Sequence, residues 1–147
     1  MSDGIWKKHV ELDKLNDLCI PTIHTALGIR FTEVGPDFIS GEMPVDERTK
    51  QPFGVLHGGA SVVLAESLGS MASYLAIEGE DRTAFGIEVN ANHLKAARNG
   101  VVTGRAQAVH IGQNVHVWQI EIRDSAGDLV CTSRLTVLVR ASRVRPA

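Results

Sequence analysis

Residues Gln51–Ile77 read QPFGVLHGGASVVLAESLGSMASYLAI. From His57 onward, about 21 residues hold one carboxylate, Glu66, and no Lys or Arg. Water rejects a helix that is apolar on every side, so this stretch predicts a buried central helix. Glu66 is then a charge in an apolar setting, and its own helix offers no partner. Leaving such a group unpaired costs several kcal/mol, so it marks a functional site unless an Arg or His from elsewhere reaches it. The length approaches that of a membrane span. Its Gly and Ser content, the central Glu66 and a mean hydropathy of zero favour a core helix instead.

Either side of this stretch the periodicity changes. Upstream, ELDKLNDL reads as a short amphipathic helix with Leu12, Leu15 and Leu18 turned inward. ALGIRFTEVGPDFISGEMPV is two alternating runs split by Gly35-Pro36-Asp37, the pattern of a hairpin. Downstream come four β-rich runs, Ala84–Leu94, Val101–Ile111, Val115–Arg123 and Leu129–Val139, with Gly and Asn at the breaks. They predict an antiparallel meander. The sum is an α+β domain of two strands, one long helix and four strands, spanning residues 1–140 with a short polar tail at 141–147. One sheet face cannot cover a helix that is apolar all round, so the sheet curls about it or a second chain covers the rest.

The 147 residues are 44% hydrophobic, enough for one domain with a core. A net charge of -2 and scattered basic residues give no footprint for nucleic acid. Cys19 and Cys131 lack CxxC or metal spacing, and MSDGIWKKHVELDK lacks the apolar centre of a signal peptide. These point to a reducing, cytoplasmic setting. His9, His24, His110 and His116 form no metal pattern, so neither a metal nor a cofactor is expected.

At about 100° per residue, Ala60, Leu64, Ser67, Leu68, Met71 and Leu75 form the stripe expected to face the sheet. Gly59, Val62, Val63, Glu66, Ser70, Ser73 and Ile77 form a second face of mostly small residues, suited to close packing in a two-fold dimer. At the helix start, Gly58 and Gly59 expose backbone N–H groups at the positive end of the dipole, a place for a developing oxyanion. His57 and Glu66 are nine residues apart, about 13 Å along the axis and about half a turn out of phase. They cannot share a site within one chain; a neighbouring subunit has to bring Glu66, with Ser70 one turn later on the same side.

The run from Gln51 to Ser70, with Ile5-Trp6-Lys7, Asn90-Ala-Asn-His93, Val117-Trp-Gln-Ile-Glu-Ile122 and Ser133-Arg-Leu135, closely resembles the hotdog-fold acyl-CoA thioesterases of the Arthrobacter-type 4-hydroxybenzoyl-CoA branch. The likeness covers nearly the whole chain. It implies a curled antiparallel sheet wrapped around one long central helix. It implies hydrolysis of an aromatic acyl-CoA, most like the 1,4-dihydroxy-2-naphthoyl-CoA members of menaquinone synthesis, then the enterobactin proofreading members that act on aryl carrier proteins. Glu66 matches the carboxylate that attacks the thioester or activates water. Gly58 matches the N–H that polarises the carbonyl, and Gln51 the glutamine that positions it. His57 matches the histidine that assists substrate or thiolate, and Ser70 the helix hydroxyl beside the carboxylate. The branch forms homodimers paired into tetramers, with sites between subunits. Coenzyme A enters as part of the substrate.

Each assignment has a plainer alternative. Gln51 could simply close its loop, His57 cap the helix and Ser70 pack. His93 sits where close relatives carry histidine near the acyl pocket, and Met71 and Tyr74 lie near Ser70 on the helix. For the phosphates and adenine of coenzyme A, Lys95, Arg98, Arg105, Arg134 and the Gly112 turn are candidates by their place at strand ends. An acyl hydratase would need a His/Asp pair that this chain lacks. An acyl-CoA sensor would need an attached regulatory segment.

Overall fold

A computed structural model describes residues 4–143; most of the expected tail, 144–147, lies outside the described residues. The elements are α1 (Leu12–Leu18), α2 (Ile23–Leu27), β1 (Arg30–Val34), β2 (Phe38–Pro44), α3 (Gly58–Ala76), β3 (Arg82–His93), β4 (Val101–Ile111), β5 (Val115–Arg123) and β6 (Leu129–Ala141). The strands form one antiparallel sheet in the order β1-β2-β4-β5-β6-β3, and it curls around α3. The β1–β2 hairpin forms where Gly35-Pro36-Asp37 breaks the pattern. The meander expectation needs correcting: β4, β5 and β6 follow one another, but β3 pairs with β6 and ends the sheet. The long α3 crosses between β2 and β3, so β3 lands at the far edge instead of beside β4. The helix α2, capped by Thr22 and closed by Gly28 at positive φ, is an addition to the expected elements.

Leu64, Leu68, Ala65, Ala72 and Leu75 of α3 are fully buried against the sheet. Burying each Leu is worth about 1.5–3 kcal/mol. The close approach depends on Gly41 and Gly104, paired across β2 and β4, where a Cβ would press on Leu68 and Leu64. The N-terminal segment straps the other end: Lys7 and Lys8 N–H donate to Leu75 O at 2.8 and 3.2 Å. Trp6 stacks on Trp118, ring centroids 6.2 Å apart, and donates to Gly35 O at 2.6 Å.

Two expectations about faces fail. Leu18 is 64% exposed, because α1 turns Leu15 and Cys19 inward together. On α3 the buried stripe is rotated by somewhat less than one residue step of about 100°, leaving Ser67 and Met71 half-buried and taking in Ser61, Gly69 and Ser73. Ser73 belongs to the core, not to an outer small-residue face. Its Oγ accepts from Trp118 Nε1 at 2.8 Å and lies 3.0 Å from His116 Nδ1, and all three residues are buried.

Candidate active site

α3 begins at His57, whose Nδ1 accepts the Gly59 N–H at 2.8 Å. That bond leaves the His57 proton on Nε2, and the ring is exposed to solvent. The Ala60 and Ser61 N–H groups both turn back to His57 O. Among the described residues the Gly58 N–H has no acceptor, so the first turn presents one free backbone donor. It opens on a cleft of about 330 Å³ lined by Gln51, Gly58, Ser61, His93 and Lys95, with apolar neighbours. The His93 ring lies against Gly58, where a Cβ would come within 2.8 Å of Nε2. Only glycine leaves both the N–H and the imidazole in place.

Gln51 is oriented by its own loop. The Phe53 N–H donates to Gln51 Oε1, and Gln51 N–H donates to Val55 O at 2.9 Å. A backbone N–H needs an oxygen acceptor, which fixes the sense of the amide and leaves its NH₂ as the group free to serve the cleft. The cleft therefore holds two unspent donors, Gly58 N–H and the Gln51 amide, the equipment for a carbonyl oxygen that gains charge.

Glu66 is elsewhere. It is half-buried, and no Lys, Arg or His forms an ion pair with it among the described residues. It lines a second cleft, about 360 Å³, with His24, Ser67, Ser70, Met71 and Tyr74. In the single chain the carboxylate's side of α3 opens onto this cleft, the side that the sequence leaves for a second chain to cover. Oε1 rests on Gly86 of β3, where any Cβ would collide with it. There the β3–β6 register slips by one residue between Gly86 and Glu88, a bulge of the kind that re-aims groups beside active sites.

The structure thus groups Gln51, Gly58 and His93 in one cleft and Glu66, Ser70, Met71 and Tyr74 in another. Within one chain His93 lies against Gly58, while Met71 and Tyr74 line the other cleft. His24 is a member of the second cleft that sequence reasoning passed over. Its place on a five-residue helix brings it across from α3, and no local pattern signals that.

The basic candidates separate too. Lys95 is held by Asp124 and Asp128 at 2.7 and 2.5 Å, and these carboxylates raise its pKa while Lys95 lowers that of Asp124. Arg98 is exposed on the rim of a hollow between the β3–β4 loop and the β5–β6 turn, with no ion pair among the described residues. Arg105 and Arg134 do not close strand ends. Arg105 sits mid-strand opposite Ser40 and Glu121 and over the Phe38 ring; Arg134 sits opposite Asn90 and Gln119. Gly112 lies in the β4–β5 turn, its N–H donating to Val115 O.

The sequence pattern of the Thioesterase superfamily matches residues 53–131. The 1,4-dihydroxy-2-naphthoyl-CoA hydrolase of Escherichia coli is 52% identical over 135 residues, 92% of this chain and 98% of the relative. The proofreading thioesterase EntH of Cronobacter turicensis is 46% identical over 92% of this chain and 98% of its own. The crystal structure of thioesterase HI1161 from Haemophilus influenzae superposes with a TM-score of 0.92 at 48% identity, covering 96% of this chain and 99% of that one. With its six-stranded curled sheet around one long helix, this chain belongs to the hotdog-fold thioesterase superfamily.

Proposed function

We propose that the chain hydrolyses an aromatic acyl-CoA thioester, with 1,4-dihydroxy-2-naphthoyl-CoA or a similar hydroxyaryl-CoA as substrate, at sites shared between two copies. The observation that carries this reading is the division of labour within one chain. The unspent donors Gly58 N–H and Gln51 lie in one cleft, and the unpaired Glu66 carboxylate lies in another. The names of the Escherichia coli and Cronobacter relatives support the reaction and the aromatic acyl class.

β3 supplies the way to join the halves. It is an edge strand of 12 residues with Phe85 and Ile87 about half exposed, a surface that invites pairing. Its Gly86 end touches Glu66 and its His93 end touches Gly58. Antiparallel pairing with a second β3 about a two-fold near Val89 and Asn90 sets each Gly86 end beside the partner's His93 end. Glu66 of one copy then meets the Gly58 cleft of the other, and further pairing of dimers gives a tetramer. There the carboxylate attacks the thioester carbon or takes a proton from the attacking water. Gly58 N–H and the Gln51 amide receive the charge on the carbonyl oxygen, and the C–S bond breaks to release the CoA thiolate. Where water attacked, the free acid forms directly; where the carboxylate attacked, water then hydrolyses the Glu66 acyl anhydride to the free acid and restores the carboxylate. Ser70 steadies the water or acyl group, Met71 and Tyr74 flank the acyl part, and His57 and His93 border the thiolate side. Arg98 is the freest cation for the CoA phosphates, with Lys95, Arg105, Arg134 and the Gly112 turn as weaker contributors. The scheme uses no metal or cofactor.

A second substrate class, aryl groups on a carrier protein, is favoured by the EntH relative. Two free, buried cysteines suit the reducing cytoplasm in which this reading places the protein. The test is subunit complementation. Glu66→Gln and Gly58→Val homomers are expected to be inactive on hydroxyaryl-CoA. After subunit exchange, about a quarter of wild-type activity should return, since random dimers restore one site in each mixed pair. Full activity of folded Glu66→Gln removes the carboxylate's role; no recovery after verified exchange removes the shared site. Comparing kcat/KM on aryl-CoA and aryl carrier protein separates the two substrates.

A further inference from the structure

His24 is the one imidazole of the Glu66 cleft, and the thioester cleavage described above gives it no role. Its backbone N–H donates to the Thr22 cap at 3.2 Å, and its ring leans on Phe31, centroids 5.5 Å apart and planes at 52°. Backbone cap and aromatic prop hold the imidazole at the wall of the cleft, with Glu66, Ser67, Ser70, Met71 and Tyr74 as the other walls. Nδ1 is fully covered and has no hydrogen-bond partner, and among the described residues none bonds to the other ring nitrogen. Burial also keeps the ring neutral, holding its pKa below the usual 6.5.

A buried polar side chain left unpaired by its own fold destabilises it, and a Val or Leu in this place would not. Covered Nδ1 is out of a ligand's reach, so the ring nitrogen that His24, as a wall of the cleft, can offer to something entering it is Nε2. A neutral imidazole has one N–H and one lone pair. A covered nitrogen without an acceptor tolerates the lone pair better than a bare N–H, so the proton resides on Nε2.

Resting on the thioesterase reading above, we infer that His24 is a specificity-determining residue whose Nε2–H donates to an oxygen substituent, a ring hydroxyl, on the aromatic acyl group. Met71 and Tyr74 offer the apolar flanks for the ring, and Glu66 and Ser70 mark its carbonyl end. An unsubstituted or alkyl acyl group leaves the imidazole unpaired and is disfavoured for that reason.

The experiment measures kcat and KM for the monohydroxybenzoyl-CoA isomers, benzoyl-CoA and hexanoyl-CoA with wild type, His24→Val, His24→Asn and Glu66→Gln. Wild type should prefer one hydroxybenzoyl isomer over benzoyl-CoA. His24→Val should lose roughly 3- to 10-fold on that isomer, the worth of one neutral hydrogen bond, mainly in KM, with benzoyl-CoA changed by less than about twofold. His24→Asn, which keeps an N–H donor, should recover part of the loss. His24→Phe gives the same ratio should the valine variant misfold. A hydroxybenzoyl to benzoyl ratio that is the same in wild type and His24→Val overturns the inference, as does an equal loss on every substrate. Those results leave the functional reading standing, because that reading fails on a different arm, a fully active Glu66→Gln or a wild type inert on all the thioesters.

Discussion

Gly86→Ala tests the position of Glu66 without altering any group that reacts. The added methyl meets Glu66 Oε1 first and Leu135 Cδ1 at 3.3 Å, so the carboxylate, being the free end of a flexible side chain, is what moves. Gly86 lies in the β3 bulge at negative φ, where alanine is tolerated by the backbone. The fold should therefore survive with a change in stability below about 1 kcal/mol. The carboxylate has to retreat by about 1 Å, a misplacement that costs on the order of 100-fold when a reacting group must be aligned. The expected result is a kcat on hydroxyaryl-CoA reduced about 10- to 100-fold at nearly unchanged KM. Adding Glu66→Gln to Gly86→Ala should then cost much less than Glu66→Gln costs in wild type, because both changes act on the same group. The assay is release of free CoA thiol, with urea unfolding and light scattering as controls on fold and assembly. A folded, assembled Gly86→Ala enzyme within about twofold of wild type would refute the contact as a positioning device.

Gly58→Ala keeps the backbone N–H but pushes on the His93 ring, so kcat/KM should fall about 10-fold and be partly restored by His93→Ala, which vacates the space; an additive double variant argues against the contact. Ser73→Ala leaves the Trp118 indole N–H unpaired in the core and should cost about 1–3 kcal/mol in urea unfolding at fixed protein concentration. Combining it with Trp118→Phe should cost less than the sum of the two, and full additivity would mean that the hydroxyl and indole are independent. Burial holds the His116 pKa below 6.5, against a partial lift from the Gly112 backbone, and His24 is lowered likewise. The unfolded chain binds these protons first, so this stability is complete above about pH 6.5 and drains away as pH falls below it. The urea midpoint should drop between about pH 7 and 5, and His116→Gln should flatten part of that slope; an unchanged slope would show that His116 is not held neutral. Lys95→Met should free Asp124 and Asp128, raising the Asp124 pKa measured by NMR, with little change in the urea midpoint, as expected of a solvent-screened bridge; an Asp124 pKa that stays where it was would show that Lys95 does not hold it down.

What the chain discloses in advance follows from which interactions are local. The helix Gly58–Ala76, its cap at His57, the hairpin about Gly35-Pro36-Asp37 and the strand limits all rest on neighbours in sequence, and they appear where periodicity and turn residues put them. The separation of Gly58 from Glu66 is likewise plain arithmetic on one helix. The rotation of that helix is not. Apolar and small residues on all sides give its hydrophobic pattern little direction, so the sheet-facing stripe cannot be read from α3 alone. The direction comes from Ser73, whose hydroxyl meets His116 and Trp118 more than 40 residues away on β5. This polar lock also aims the site. With Ser73 drawn into the core, Glu66, two turns earlier and nearly in phase with it, is carried round to the edge strand and onto Gly86 instead of out over the middle of the open face. A buried serine that looks like a helix-packing residue thereby helps set which way the one carboxylate of the helix points, a direction that no pattern within α3 itself carries.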